Sequence, residues 1–155
     1  MACSLSFTRV WLLPALIGIA LVVFQTAAAQ DTAAAFPDGL WLTKKKDTAV
    51  RIEPCGNALC GYISWLRPDI EQVAPDGKPL CHTRVLWDFT RDRTRPEVWR
   101  DGKIFKANKG DVYSGRITVH GHDTLELRGY LGLPFIGKSY LLTRVTESNY
   151  PPCSS

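Results

Sequence analysis

Residues 113–131, YSGRITVHGHDTLELRGYL, contain two short runs in which apolar and polar side chains alternate around a glycine-containing turn. Tyr113 and Ile117 share one face of the first run, and Leu125 and Leu127 share one face of the second. A period of two is the pattern of a strand with one buried face. The turn tetrapeptide HGHD supplies the positive φ that a tight hairpin needs. The stretch therefore predicts an antiparallel β-hairpin.

The same alternation recurs along most of the chain, and no helical stripe lasts three turns. Turn signals such as Asp76-Gly77 and Asp101-Gly102 separate the runs, which predicts about eight or nine strands. The strands are expected to begin near Leu40, Ala49, Gly61, Thr83, Val98, Lys103, Val112, Thr124 and Lys138. Many short strands joined in sequence predict an all-β fold, a small up-and-down antiparallel barrel, with a sandwich as the alternative. Closure of the barrel removes exposed sheet edges.

The N-terminal residues have the pattern of a secretory signal peptide, with Arg9, an apolar run from Val10 to Phe24 and small residues up to Ala29. The apolar run is shorter than the ~20 residues that cross a bilayer, so we expect no transmembrane span in the mature chain. Cleavage after Ala29 predicts a periplasmic or secreted protein. The expected organisation is a signal peptide at 1–29, a linker at 30–38, a barrel domain at 39–146 and a C-terminal tail at 147–155.

Charge excludes one class of partner. The net charge of the chain is only +4, without the concentrated basic face that nucleic-acid binding requires, so no nucleic acid is expected. One local cluster, TRDRTRPEVWRD, contains Arg91, Arg93, Arg95 and Arg100. It is interpreted as a solvated loop, with contact to an anionic surface as the alternative.

Four cysteines remain after the predicted cleavage, and Cys55 and Cys60 are separated by the four residues GNAL. A redox motif needs two intervening residues at a helix start, and a zinc site usually pairs its ligands closely. If GNAL is a hairpin loop, the two cysteines face each other within disulfide range. A structural disulfide is therefore favoured over redox and zinc chemistry. By elimination, Cys81 and Cys153 are a second candidate pair.

Catalytic motifs are missing from the sequence. It contains no nucleophile elbow, phosphate-binding glycine loop or zinc-protease motif. The HGHD turn could place His120 and His122 on one metal, but its turn chemistry explains the stretch as a solvated hairpin. We therefore expect no cofactor and no metal. An enzyme with a site assembled from distant residues remains a third interpretation.

Two longer stretches resemble the bacterial exported family catalogued as domain of unknown function 2147. They are GLWLTKKKDTAVRIEPCGNALCGYISWL and VWRDGKIFKANKGDVYSGRITVHGHDTLELRGYLGLPFIGKSYLLTRV, and the resemblance extends from Gly39 to Val145. The family is similar to lipocalins, which implies a small barrel with an apolar pocket and no established activity. In such barrels an arginine of the last strand covers a tryptophan of the first, and Trp41 and Arg144 occupy those places.

The expected function is that of an exported, non-catalytic barrel that binds a small apolar or amphipathic ligand. A solid barrel that acts through its surface, as a module for envelope proteins or anionic surfaces, is the alternative. In a hollow barrel, the loop at 67–81 would cover the mouth. The candidate pocket residues are Tyr62, Trp65, Leu125, Leu127 and Tyr140.

Overall fold

Eight antiparallel strands form a closed barrel in a computed structural model that describes residues 36–153. The strands are β1 (Gly39–Thr43), β2 (Thr48–Cys55), β3 (Ala58–Leu66), β4 (Arg84–Arg91), β5 (Val98–Lys106), β6 (Asp111–His120), β7 (Thr124–Tyr130) and β8 (Gly137–Val145). Each strand pairs with the next in sequence, and β8 closes the barrel on β1 with Arg144 opposite Trp41. The predicted up-and-down barrel is confirmed. The predicted signal peptide lies outside the described residues, among which no helix is long and apolar enough to cross a membrane.

Strand β5 corrects the sequence prediction of two strands that begin near Val98 and Lys103. Asp101-Gly102 is not a hairpin turn, because the chain continues through it as one strand. Asp101 has a φ of 62°, and the register between β5 and β6 shifts between Trp99 and Gly102. Positive φ and a register shift are the marks of a β-bulge, which bends and twists a strand without ending it. A turn signal within an apolar run therefore marks a bend in this barrel wall.

Phe89 fills the middle of the barrel. Its side chain is fully buried, and it belongs to a core that includes Trp41, Ile52 and Ile117. Its ring fits against two inner-facing glycines of β5 and β6. A Cβ atom on Gly102 would lie 2.3 Å from the ring, and one on Gly115 would lie 2.8 Å from Phe89 Cζ. Both distances are shorter than real contacts, so the ring can occupy this position only because both residues are glycine.

The two ends of the barrel differ. At one end, which we call the Arg144 end, the segment 36–38 packs under the strands. The Trp41 indole N–H there donates to the buried carbonyl of Pro37 at 2.8 Å, and the Phe36 ring meets the Trp99 ring edge-on. The opposite end, which we call the loop end, carries the connections 44–47, 67–83, 107–110 and 131–136.

The connection 67–83 folds over part of the loop end. Leu80 is buried, and Ile70 and Ala74 pack against the same hydrophobic core as Phe89. Backbone hydrogen bonds hold the connection in shape, including one of 2.9 Å from Leu80 N to Gln72 O. This long connection is therefore a packed cover that extends the barrel core.

Candidate functional site

The inner face of β7 and β8 changes from buried to exposed toward the loop end. Leu125 and Leu142 lie opposite each other, and both are buried. Leu127 and Tyr140 form the next inner-facing pair. Leu127 is only partly buried, and Tyr140 is 52% exposed although its register directs it toward the barrel axis. The interior is therefore open to solvent on this side of the loop end.

Strands β5 and β6 complete the opening. Ile104 and Tyr113 lie opposite each other on the inner face, and both are partly buried. Gly129 follows Leu127 on the inner face, and a Cβ atom there would lie 3.4 Å from Ile104 Cδ1 and 3.9 Å from Tyr113 Cβ. The missing side chain leaves space beside Ile104 and Tyr113. We call this feature the open cup and define it by Ile104, Tyr113, Leu127, Gly129 and Tyr140.

Polar groups of the open cup lie at its rim. The Tyr113 hydroxyl donates to Asp111 Oδ2 at 3.2 Å. Burial raises the pKa of Tyr113 above its usual value, and the hydrogen bond to Asp111 raises that pKa further. Lys138 lies opposite Gly129 in the register, and its side chain is exposed. The cup therefore combines an apolar wall with two phenol groups, and Lys138 lies beside it.

The structure separates the five predicted pocket residues into two groups. Leu127 and Tyr140 lie in the open cup, and Leu125 lies below it in the closed core. Tyr62 and Trp65 lie on the outer face of β3. Tyr62 is paired with the outward-facing Arg51, and Trp65 packs edge-on against Tyr150 of the C-terminal tail at 4.9 Å. These two side chains do not face the barrel interior.

The outer face of β1 to β3 carries a second apolar cluster under the C-terminal tail. Leu40, Leu42 and Ala49 are buried there, and Trp65 and Tyr150 cover them. Beside this cluster lies a solvent-open hollow of about 480 Å³. Its walls include Trp65, Val73, Pro79 and Pro151. A second hollow of about 320 Å³ is lined by Tyr62, Arg51, Glu53, Ser64, His82 and Pro152.

Two disulfides hold the connections. Cys55 and Cys60 are paired with their Cα atoms 5.5 Å apart, and Cys81 is paired with Cys153 at 6.0 Å. The hairpin that carries the first pair differs from the sequence expectation, because Cys60 lies opposite Glu53 and the turn is two residues long. The first disulfide therefore joins diagonal positions. The second attaches the cover 67–83 to the C-terminal tail.

Arg144 organises the other end of the barrel. Its guanidinium carbon lies 4.3 Å from the centre of the Trp41 ring. Its Nε donates to the carbonyl of His122 at 2.7 Å, and its Nη atoms donate to the carbonyls of Phe36 and Asp38. One side chain thus joins the N-terminal segment, the first strand and the β6–β7 turn.

The arginine cluster of the β4–β5 connection is built around a carboxylate. Asp92 Oδ1 accepts hydrogen bonds from the hydroxyl and backbone N–H of Thr94 at 2.8 and 2.9 Å. Arg95 and Arg100 pair with Asp92 Oδ2 at 3.3 and 3.6 Å. Arg91 donates to the carbonyl of Pro96. Most of the cluster is therefore engaged in shaping its own turn.

A polar network of Ser139, Glu126 and His120 lies on the outer face of β6 to β8. The Ser139 hydroxyl donates to Glu126 Oε1 at 2.5 Å, and His120 Nε2 lies 3.3 Å from Glu126 Oε2. The serine bond, and then the histidine, lower the pKa of Glu126. The serine therefore bonds a carboxylate and not an imidazole, which is not the order of a nucleophile, its base and its orienting acid. Within residues 36–153 no group of three or more metal-ligating side chains converges.

Residues 39–144 match the family described as "Uncharacterized protein conserved in bacteria (DUF2147)". This chain belongs to the DUF2147 family. The match begins at the first residue of β1 and ends at Arg144, so it includes the whole open cup and the Trp41–Arg144 pair. The resemblance noted in the sequence is thereby confirmed. A comparison of this DUF2147 chain with curated proteins finds no match.

A solved structure supports the fold of this DUF2147 protein. Protein HP1028 from the human pathogen Helicobacter pylori, which belongs to the lipocalin family, is similar to it with a TM-score of 0.61. The identity is 15%, and the similarity covers 76% of this chain and 90% of that chain. At this identity the likeness shows a lipocalin-like barrel and nothing about ligand or activity.

Sequence reasoning missed three residues of the cup in this DUF2147 barrel. Tyr113 was on the apolar face of its run, and its alternation with Ile117 was the available signal. Ile104 lies beyond the β5 bulge, where the inner-facing positions change from odd-numbered to even-numbered residues. Simple alternation along β5 therefore does not place Ile104 on the inner face. Gly129 has no side chain, so its only signal is a gap in the alternation after Leu127.

Proposed function

We propose that this DUF2147 protein is an exported, non-catalytic protein that binds a small apolar or amphipathic ligand in the open cup. One observation carries the proposal. Tyr140 points toward the barrel axis by its register, and yet half of its surface is exposed. A solid barrel buries its inner-facing aromatics, whereas a barrel that receives a ligand keeps some of them accessible.

The chemistry of the cup favours a ligand with one apolar and one polar end. Leu127, Ile104 and the two tyrosine rings offer apolar contact area. The Tyr140 hydroxyl and the Lys138 ammonium offer hydrogen-bond donors at the rim, where a carboxylate or another acceptor group would meet them. Because Phe89 fills the barrel below, the ligand enters only the outer part of the interior and keeps its polar end near solvent.

Export is supported by the two disulfides, since such bonds persist in oxidising compartments. The predicted signal peptide points to the same location. The bonding order of Ser139, Glu126 and His120 supports a non-catalytic role, because the serine lacks a histidine base.

A fluorescent amphipath, 11-(dansylamino)undecanoic acid, tests the proposal by titration into the purified protein. Tyr140→Ser removes a ring from the cup, and Leu141→Ser removes a similarly exposed side chain from the outer face of the same strand. We expect Tyr140→Ser to weaken binding about tenfold, as the loss of one buried aromatic contact implies. Leu141→Ser should bind as the unmodified protein does.

Two results would contradict the proposal. One is an absence of saturable binding by the unmodified protein. The other is equal binding by the two variants, which would place the probe on the outer face and favour a surface interaction module.

A further inference from the structure

The β7–β8 connection exposes a concentrated apolar surface. Four side chains at its tip are among the most exposed large hydrophobic residues of the described chain. They are Leu131 at 68%, Leu133 at 54%, Phe135 at 74% and Ile136 at 67%. Contiguous exposed apolar side chains of this kind mark an interaction site and not a protein core. We call residues 131–136 the apolar loop.

Three carbonyls and one N–H group of the apolar loop form hydrogen bonds within the protein. Arg128 Nε donates to the carbonyl of Pro134 at 2.8 Å, and Arg128 Nη2 donates to that of Phe135 at 3.1 Å. The N–H of Ile136 donates to the carbonyl of Leu133 at 3.0 Å. These bonded carbonyls can enter an apolar medium without the cost of stripping water from them, which lowers the cost of inserting the tip of the loop.

Lysines flank the apolar loop on both sides. Strand β8 pairs with β1 and β7 pairs with β6, so the turns 44–47 and 107–110 are the nearest neighbours of the loop at the same end. These turns and their adjoining strand ends contain the basic residues Lys44, Lys45, Lys46, Lys106 and Lys109, against the acidic residues Asp47 and Asp111. Within residues 36–153 none of these five lysines forms an ion pair.

We propose that the loop end docks on an anionic phospholipid bilayer, with the apolar loop inserted among the lipids and the flanking lysines on the headgroups. An apolar tip between two basic turns matches the layered chemistry of such a surface, where both insertion and charge contribute. A second copy of this chain is a poorer occupant, because a symmetric contact between two loop ends would bring their lysines together. The inference does not rest on ligand binding in the open cup.

Flotation with vesicles tests the inference. The protein is expressed from its full sequence and purified after the cell has processed it. It is then mixed with vesicles of phosphatidylcholine alone, or with vesicles that also contain about 30 mol% phosphatidylglycerol. One variant carries Phe135→Ser and Ile136→Ser, and a second carries Gln at positions 44, 45 and 46. Matched controls are Leu141→Ser, an exposed apolar residue of the barrel wall, and Arg93→Gln, an exposed cation of the opposite end. All these proteins have the same N-terminal segment, so any difference in vesicle binding between them is caused by the substituted residues.

We expect binding to the anionic vesicles that falls at least tenfold in each loop-end variant and is unchanged in both controls. Added salt should weaken the binding, since exposed charges are screened within about 10 Å at 0.1 M. Equal binding by the double serine variant and its control would overturn the inference. So would equal binding to neutral and anionic vesicles, or sedimentation showing a dimer that Phe135→Ser dissociates. Circular dichroism melting of each variant separates lost docking from lost folding.

Discussion

The Arg144 guanidinium lies over the Trp41 ring at 4.3 Å, where the last strand of the barrel closes on the first. The same guanidinium donates hydrogen bonds to backbone carbonyls of the N-terminal segment and the β6–β7 turn. Trp41 is fully buried, so the arginine covers the ring from outside and closes this end of the barrel. The pair therefore joins the two termini of the barrel domain at its seam.

Arg144→Met should destabilise the protein by about 1–2 kcal/mol, because a cation–π contact with a buried ring and several hydrogen bonds are lost together. Arg84→Met is a matched control, since Arg84 lies 5.4 Å from the Trp87 ring on an exposed surface and should cost less than about 0.5 kcal/mol. Urea unfolding measures both changes. Equal losses of unfolding free energy in the two variants would contradict a stabilising contribution from the contact between Arg144 and Trp41.

Gly102→Ala should destabilise the barrel by about 1–3 kcal/mol, the usual cost of overpacking. The added methyl group would lie 2.3 Å from the Phe89 ring, so the ring must move. Gly129→Ala is the control, because a Cβ atom there has its nearest neighbour at 3.4 Å. Thermal melting compares the two, and Phe89→Leu should recover part of the Gly102→Ala loss. If Gly102→Ala left the melting temperature unchanged, Phe89 could not fill the middle of the barrel in the way described.

The two disulfides should differ in their contribution to stability. They join residues 5 and 72 positions apart, and the chain-entropy model assigns about 2 and about 4 kcal/mol to loops of these sizes. Replacing Cys81 and Cys153 with serine should therefore cost more than replacing Cys55 and Cys60. Urea unfolding of both double variants measures the difference, after non-reduced peptide mapping of the unmodified protein. A reversed order would contradict the attachment of the cover 67–83 to the tail.

Acid should loosen the β4–β5 connection. The Thr94 hydroxyl and backbone N–H, followed by Arg95, hold the pKa of Asp92 well below its ordinary value of 3.8. A lowered carboxyl pKa contributes stability above the unfolded value, and that contribution is lost as the pH falls below about 4. Asp92→Asn should lower the melting temperature at pH 7 and flatten its acid dependence. Asp101→Asn, at an exposed carboxylate, should leave the profile unchanged, and identical profiles for both variants would contradict the assignment.

The alternation of apolar and polar residues predicted most of the strands of the barrel. It did not predict, for every strand, which residues face the interior. The β6–β7 hairpin alternates cleanly because only its inner face is apolar, so the positions of Leu125 and Leu127 followed from the sequence. On β1 the successive residues Leu40, Trp41 and Leu42 are all buried, because the C-terminal tail covers the outer face there. A strand with two buried faces has no period-two signal.

The outward positions of Tyr62 and Trp65 have the same cause. Their strand carries large apolar residues on both faces. The single step from Val50 to Ala49 on β2 lies opposite two residues of β3, so the parity of β3 changes before Trp65. Tyr140 was predicted as a pocket residue, but the extent of the opening around it could not be predicted, because it depends on how far the cover 67–83 extends across the loop end. Packing between segments distant in sequence decides both points.

Native mass spectrometry of the protein recovered from the envelope of a producing cell tests ligand binding in the open cup most directly. We predict a noncovalent adduct that is lost on denaturation and retained by Leu141→Ser. Gly129→Leu should abolish it, since a side chain fits the backbone there but occupies the space between Ile104 and Tyr113. A protein without adduct that also fails to bind the dansyl probe, or an adduct that folded Gly129→Leu retains, would contradict a ligand site in the cup.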